Sequence, residues 1–131
     1  MIYLDSSALL KLLWEEHESA SLERWLLDHT ATPTVSSELA KIEVVRACRR
    51  RNHDVVPEAR ALLAGLDLIP MSSDVVEHAA EIGEPPLRSL DAIHLASALA
   101  IRADLSVFLG YDQRLLDAAS AEGLEPVSPG R

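Results

Sequence analysis

Residues 2–13 read IYLDSSALLKLL and set the fold class, because a short apolar strand runs into an acid and then directly into a helix. Asp5 at this junction is expected on the carboxyl edge of a sheet, where open parallel sheets place their active sites. The same order recurs near the other end, where residues 107–110 lead to Asp112 and another helix. The repetition predicts two acids on one edge of a parallel sheet.

Short apolar segments alternate with longer amphipathic segments along the whole chain. Buried parallel strands are short and apolar, whereas helices repeat apolar residues with a period near 3.6. Strands are predicted near 2–5, 33–36, 67–71, 105–110 and 124–127, and helices over about 6–14, 18–29, 37–51, 56–65, 73–83, 89–103 and 112–122. This alternation predicts a three-layer α/β sandwich in one domain, residues 1–131, with only the tail 128–131 loose.

The composition is that of an ordinary globular protein. The 131 residues are 48% hydrophobic and 25% charged, which is enough for a sizeable core. Cys48 is the only cysteine, so a disulfide framework and a thiolate metal cluster are excluded. No apolar run reaches the roughly 18 to 20 residues that span a bilayer. We expect a cytoplasmic protein with no signal peptide and no membrane contact.

The charge distribution matters more than the net charge of −9, which argues mildly against a nucleic-acid binder. Four arginines lie close together at positions 46, 49, 50 and 51. Such a local basic stripe can attract phosphates although the overall field repels them. Arg46 and Arg50 are therefore predicted to hold a nucleic-acid backbone.

Three of the candidate acids have an ordinary structural explanation when each is taken alone. Asp5 and Asp112 stand where a helix N-cap is expected, and such a carboxylate accepts a bond from an unpaired backbone N–H. Asp91 falls in a first helical turn, where the macrodipole favours negative charge. None of the three requires a functional role by itself.

Glu43 is harder to explain structurally, because it lies in the most apolar part of its helix. The alternative to a site role is a surface pair with Arg46, three residues further along the helix. Glu38 competes as the acid from the same helix, but it falls in the first turn, where it would complement the dipole. We assign Glu43 to the site and Glu38 to the helix end.

Together the four acids predict a metal-dependent hydrolase. Converging carboxylates repel one another, and a divalent cation removes that cost. A set of oxygen ligands suits Mg²⁺ or Mn²⁺ rather than Zn²⁺, and the natural chemistry is phosphodiester hydrolysis. The four carboxylates are predicted to hold the ion, with Asp5, Asp91 and Asp112 as the candidate metal ligands. A carboxylate left free of the metal can act as general base toward the attacking water. Ser6 or Ser7 could orient a ligand, although either could simply cap the helix.

Four stretches of the sequence resemble the PIN-domain ribonucleases and, within them, the VapC-type toxins of bacterial toxin–antitoxin pairs. They are IYLDSSAL at 2–9, SELAKIEVVR at 37–46, LDAIHLASA at 90–98 and GYDQRL at 110–115. They occur in the family's order and at its usual separations. With the pattern of predicted elements, the resemblance extends over nearly the whole chain.

The resemblance implies a fold, an activity and partners. The fold would be a five-stranded parallel sheet between helices, with the family's acids at Asp5, Glu43, Asp91 and Asp112 and its hydroxyl residue at Ser7. The activity would be endoribonuclease cleavage dependent on Mg²⁺ or Mn²⁺ that arrests translation. The partners would be RNA, a cognate antitoxin protein and a second copy of the chain in a homodimer.

Two further residues near these motifs are assigned outside the site. Asp117 shares a helical phase with Gln113, which indicates an exposed face. His94 lies one turn from Asp91 and could approach the site, but we expect it to be a packed, buried residue.

Other function classes fit less well. Dehalogenase-like phosphatases need a second acid two residues after the first, and Ser7 stands there. Receiver domains need a lysine near the end, and the only lysines are Lys11 and Lys41. A catalytically silent PIN-like module that binds nucleic acid or protein, with its acids serving as caps, is the remaining alternative.

Overall fold

The computed structural model describes all 131 residues, Met1–Arg131. Strands and helices alternate along the chain, as the sequence predicts. A single turn of 3₁₀ helix, His53–Val55, joins the helix Glu38–Arg51 to the helix Val56–Ala64. The elements are β1 (Ile2–Leu4), α1 (Ser6–Lys11), α2 (Ser19–Leu27), β2 (Thr34–Ser37), α3 (Glu38–Arg51), α4 (Val56–Ala64), β3 (Asp67–Ile69), α5 (Ser73–Glu81), α6 (Ser89–Ala100), β4 (Val107–Leu109), α7 (Gln113–Ala121) and β5 (Pro126–Val127).

The five strands form one parallel sheet in the order β3-β2-β1-β4-β5. In the central strand, Tyr3 pairs with Val35 on one side and with Phe108 on the other. The chain builds outward from β1 through β2 to β3, then crosses to the opposite side for β4 and β5. The order therefore reverses between β1 and β4, and such a switch point is where open parallel sheets bind ligands.

Alternate residues of β1 supply the two faces of the sheet. Ile2 and Leu4 pack into a core with residues of α1, α2, α3 and α4, whereas Tyr3 packs on the other face with residues of α6 and α7. This period-2 alternation is what a strand between two helical layers requires. The predicted three-layer sandwich with a five-stranded parallel sheet is confirmed.

Several helices end earlier than the sequence predicts. After α1, Leu12 and Leu13 donate their N–H groups to carbonyls three residues back, and Ile101 and Arg102 do the same after α6. These tighter bonds satisfy the last carbonyls while ending the α-helical pattern. None of the seven helices has the combination of length and apolarity that crossing a bilayer requires.

The C-terminal tail, expected to be loose, is held against the carboxyl end of β4. The Ser128 hydroxyl donates to the carbonyl of Gly110 at 2.5 Å. The Tyr111 hydroxyl donates to the carbonyl of Pro129 at 2.7 Å, and the Arg131 guanidinium donates to the carbonyl of Tyr111. These contacts hold the tail in place, so the prediction of a loose tail is wrong. The sequence pattern does not show them because they join residues 18 to 20 positions apart.

Candidate active site

The candidate site lies at the switch point, where β1 and β4 end side by side. Asp5 follows β1 directly, and Asp112 follows β4 after Gly110 and Tyr111. Gly110 makes room for the first acid, because a Cβ atom at this position would lie only 2.7 Å from Cγ of Asp5. Gly110 is not among the residues predicted from the sequence, although a glycine directly after a buried strand is a signal of such close approach.

Asp5 is 2% exposed and anchored through one of its two carboxylate oxygens. Its Oδ1 accepts a hydrogen bond from the Ser7 hydroxyl at 2.5 Å and another from the backbone N–H of Ala8 at 3.0 Å. Ser7 in turn accepts a bond from the N–H of Tyr111 at 3.0 Å, which ties the residues after β1 to those after β4. Asp5 therefore caps α1 and also faces the switch point, so the two interpretations of this residue are compatible.

The pKa of Asp5 is raised above its ordinary value. Burial is the main cause, and the charge of Asp112 adds to it, against the opposing effects of Ser7, His94 and the Ala8 N–H. An ionised Asp5 is thus costly to the folded protein, although it is hydrogen-bonded.

The pKa of Asp91, which lies in the first turn of α6, is also raised. Burial is again the largest cause, and the charges of Asp112 and Glu43 add to it, while His94 and Arg88 oppose it. Asp112 therefore interacts unfavourably with both other aspartates, as expected for acids that share one edge of the sheet.

Glu43 is half-buried on α3 and differs from the aspartates. Its Oε1 accepts a hydrogen bond from the Ser6 hydroxyl at 2.7 Å and lies 2.7 Å from Nε2 of His94. Burial raises its pKa, but the hydrogen bond and charge of His94 and the bond from Ser6 outweigh burial, so that the pKa is lowered. The alternative pair with Arg46 is wrong, since the ion pairs of the molecule are made only by Lys11 and His94.

His94 is buried, as predicted, but it contacts the site. At 2% exposure, its imidazole lies between Glu43 on one side and the hydroxyl of Tyr3, 2.7 Å from Nδ1, on the other. The interpretation of His94 as a packing residue is therefore incomplete. Tyr3 was missed because nothing local distinguishes it from any other apolar strand residue.

Asp112 caps α7, its Oδ1 accepting a bond from the N–H of Arg114 at 3.0 Å. Asp5, Glu43 and Asp112 thus share one feature: the protein engages a single carboxylate oxygen of each. Oδ2 of Asp5, Oε2 of Glu43 and Oδ2 of Asp112 accept no hydrogen bond from the chain. Carboxylates fixed in this way keep one oxygen available for water, a cation or substrate.

Glu38 and Asp117, the two acids that we assigned outside the site, make their hydrogen bonds outside it. Glu38 accepts a hydrogen bond from the N–H of Met71 at 2.7 Å, so it joins the start of α3 to the segment after β3. Asp117 accepts a bond from the Gln113 amide at 2.7 Å on the exposed face of α7.

The acids do not converge as closely as expected from the sequence, because no three histidine, cysteine, aspartate or glutamate side chains lie close enough to form a ready-made metal site. The chemistry of the donors nonetheless fits a hard cation. They are oxygens, their mutual repulsion would be relieved by positive charge, and Asp5 and Asp112 each keep one oxygen unengaged. The assignment of Asp5, Asp91 and Asp112 as ligands remains a prediction.

A basic cleft of about 280 Å³ lies further along α3. It is lined by Arg46, Arg49, Arg50 and His53, and no acid contributes to its wall. Since Arg50 is seven residues after Glu43, it lies on nearly the same face of the helix, about 10 Å further along the axis. The predicted pair Arg46 and Arg50 thus belongs to a larger basic surface.

Comparison with known proteins places this geometry in a family. The sequence model of the PIN domain matches residues 2–121. The chain is 42% identical to Ribonuclease VapC47 of Mycobacterium tuberculosis (strain CDC 1551 / Oshkosh), with 99% of this chain and 98% of the relative covered. It is also 42% identical to Ribonuclease VapC46 of M. tuberculosis (strain ATCC 25618 / H37Rv), with 98% and 97% covered.

Solved structures share the fold. M. tuberculosis VapC20, described as a sarcin-ricin loop cleaving toxin, superposes with a TM-score of 0.77 at 19% identity and covers 98% of this chain and 100% of its own. VapBC2 from Rickettsia felis, bound to a DNA fragment from its promoter, gives a TM-score of 0.74 at 14% identity, with 98% and 99% covered. The extent of the domain match and the identity to the curated relatives settle the membership: this chain belongs to the PIN-domain family and, within it, to the VapC ribonucleases.

Proposed function

We propose that this protein hydrolyses RNA phosphodiester bonds with the help of Mg²⁺ or Mn²⁺ bound at the switch point of the sheet. Asp5, Asp91 and Asp112 would hold the ion. Such an ion, when bound, lowers the pKa of a water ligand and stabilises charge that develops on the phosphate. The observation that carries the proposal is Asp5, a buried carboxylate with a raised pKa that lies beside other acids and forms no ion pair.

Ser7 holds other residues of the site in place and does not take part in the reaction itself. Its hydroxyl proton is committed to Asp5, and its oxygen accepts the N–H of Tyr111. It therefore fixes the Asp5 carboxylate and holds the strand ends of β1 and β4 together. We assign Ser7 a positioning role, and the neighbouring Ser6 the same role toward Glu43.

Glu43 is suited to orienting the attacking water. Its lowered pKa keeps it ionised near neutral pH, which makes it a good hydrogen-bond acceptor but a weak base. Oε1 is held by Ser6 and His94, and Oε2 is free to accept a bond from water. The proton of that water would then leave to solvent or to a phosphate oxygen.

The basic cleft is suited to the RNA backbone beside the cleaved bond. Arg46 and Arg50 are exposed, and no acid of the chain pairs with them. Replacing both with glutamine should weaken binding to single-stranded RNA and reduce the dependence of log K on log salt by about 0.7 for each phosphate that is no longer neutralised. Arg24→Gln, on the exposed surface of α2, is the matched control.

The experiment that tests the proposed function is cleavage of RNA by the purified protein. Cleavage should require Mg²⁺ or Mn²⁺ and stop when EDTA is added. Asp112→Asn should be inactive, whereas Asp117→Asn, five residues later on the exposed face of the same helix, should cleave normally. Equal cleavage by the two variants would mean that Asp112 only caps its helix, and full cleavage in EDTA would exclude the metal. Absence of cleavage by the wild type would support the silent binding module.

We also propose that the protein works in the cytoplasm with a cognate antitoxin and as a homodimer. A toxin–antitoxin complex from Klebsiella pneumoniae has the same fold, with a TM-score of 0.68. Ile42 and Leu90 are 55% and 49% exposed and directly precede the site residues Glu43 and Asp91, so a protein partner bound there would cover the site. Light scattering of the purified chain should give twice its 14.3 kDa mass, and a monomer would exclude the homodimer.

A further inference from the structure

One series of hydrogen bonds extends beyond the residues to which the proposed function gives a role. It begins at Tyr3 in the middle of the sheet, passes through His94 on α6 and ends at Glu43 on α3. Each of its two links is 2.7 Å long. It connects the buried core to an acid of the site across three separate elements.

Which group donates each of these hydrogen bonds follows from the protons that each group carries. Tyr3 is fully buried, and its phenol, with an ordinary pKa of about 10, keeps its proton near neutral pH. At the other end Glu43 is a carboxylate and can only accept. His94 must therefore present an N–H to Glu43, and that N–H is at Nε2.

A neutral imidazole that is protonated at Nε2 has a lone pair at Nδ1, which accepts the Tyr3 proton. The two serines beside the phenol do not compete as donors. Ser36 donates its proton to the carbonyl of Leu4 at 2.6 Å, and Ser97 donates to the carbonyl of Ile93 at 2.7 Å. The Ser6 oxygen, 3.3 Å from Nε2, donates its own proton to Glu43 and can also accept from Nε2–H. The same arrangement of protons therefore satisfies every contact of the imidazole.

We propose that His94 is a positioning residue, an Nε2–H tautomer whose ring is fixed between Glu43 and the hydroxyl of Tyr3, and that it aims the free oxygen of Glu43 at the reacting water. The proposal rests on the proposed function, since it gives Glu43 a task. Tyr3 acts through His94 and does not reach the site itself. Ser6 holds the same oxygen of Glu43 from the side of α1.

Tyr3→Phe tests the series of hydrogen bonds from Tyr3 to Glu43 with little disturbance of the core. The ring of Tyr3 stacks on Phe108 with centroids 5.1 Å apart, and phenylalanine keeps that stacking without the hydroxyl. Loss of an outer hydrogen-bond partner should lower kcat roughly 10- to 100-fold with KM for RNA unchanged. Tyr111→Phe, which removes a bond to the Pro129 carbonyl and leaves the contacts of His94 and Glu43 in place, is the matched control and should lose much less kcat than Tyr3→Phe.

A spectroscopic measurement separates positioning from a purely structural role. Long-range ¹H–¹⁵N correlation of the His94 ring should show a neutral ring protonated at Nε2 in the wild type and in Tyr111→Phe. In Tyr3→Phe the ring should stay protonated at Nε2, because Glu43 still accepts that proton, but the Nδ1 signal should shift, since its lone pair has lost its donor. A ring protonated at Nδ1 in the wild type would overturn the proposal, as would equal kcat for Tyr3→Phe and Tyr111→Phe.

Replacing the histidine itself gives a second kinetic test. His94→Gln can still donate an amide N–H near the Nε2 position, so it should retain more activity than His94→Leu at equal folded content, checked by circular dichroism. If the two variants are equally active, His94 does not position Glu43. If Asp112→Asn cleaves normally, the proposed function fails instead, whatever the His94 variants do.

Discussion

The acids at the carboxyl edge of the sheet form two halves, Glu43 on one side and Asp5, Asp91 and Asp112 on the other. The protein stabilises the buried charge of the first half but not that of the second. Around Glu43, donors from Ser6 and His94 converge on one carboxylate oxygen, and the pKa is lowered. Around Asp5, the donors from Ser7 and Ala8 do not outweigh burial and the charge of Asp112, and the pKa is raised.

The difference indicates which half would bind an ion. A carboxylate that the protein already stabilises gains little from a cation, whereas carboxylates that repel one another gain much. We therefore assign the cation to Asp5, Asp91 and Asp112 and the ordering of water to Glu43.

Asp5→Asn is expected to have the largest effect on activity, because it removes a charge from the half that we assign to the cation. Asparagine keeps an oxygen that can accept the bonds from Ser7 and Ala8 but loses the charge. Cleavage should fall by about a thousandfold, since charge stabilisation in such sites is worth several kcal/mol. Thermal unfolding without metal should occur at a higher temperature, because a costly buried charge is gone. Single-turnover cleavage and calorimetry check the two parts, and a variant that is active or less stable would contradict them.

A smaller effect should distinguish the two serines. Ser7→Ala removes the bond to Asp5 and leaves the N–H of Tyr111 without its partner, which costs about 1–3 kcal/mol for a buried donor. Ser6→Ala removes one of two hydrogen bonds to Glu43 and leaves His94 in place. Urea unfolding should show a clearly larger loss of stability for Ser7→Ala. Equal losses would mean that the two halves are not supported differently.

The smallest effect is a difference in pH dependence. The pKa of Glu43 is lowered from its ordinary 4.5, so its contribution to stability is present above that pH and is lost as the pH falls through the folded-state pKa. The pKa of Asp91 is raised from its ordinary 3.8, so stability is greatest below that pH and falls as the pH rises through the folded-state pKa.

Urea unfolding between about pH 3 and pH 7 checks these signs. Glu43→Gln should be less stable than the wild type at pH 7, and Asp91→Asn should be more stable. Both differences should shrink toward the acid end of the range, where the wild-type acids are protonated. Differences of the same sign at pH 7 would contradict the comparison.

The sequence predicts one part of this site and not the other for a physical reason. Asp5 and Asp112 are recognisable because each stands at a strand–helix junction, a local pattern with a period that changes from 2 to 3.6. Glu43 is recognisable because a charge in an apolar helix segment is unusual. The order of elements is enough to bring these residues to one edge.

The chain through Tyr3 and His94 could not be predicted in the same way. Its links join residues 91 and 51 positions apart, and a tyrosine inside an apolar strand looks like any other core residue. The same holds for the tail, whose contacts depend on where β4 and β5 meet. Gly110 does carry a signal, a glycine directly after a buried strand, but the residue that requires it, Asp5, is identified only by the structure.

The most direct test of the central claim is thermal unfolding during titration with Mg²⁺ or Mn²⁺, for the wild type and Asp5→Asn in parallel. A ligand that binds only the folded state stabilises it by about 2.7 kcal/mol at roughly a hundred times its Kd. We expect the unfolding temperature of the wild type to start lower and rise with metal, while that of Asp5→Asn starts higher and stays nearly constant. Equal rises for the two proteins would show that the ion does not bind at this aspartate.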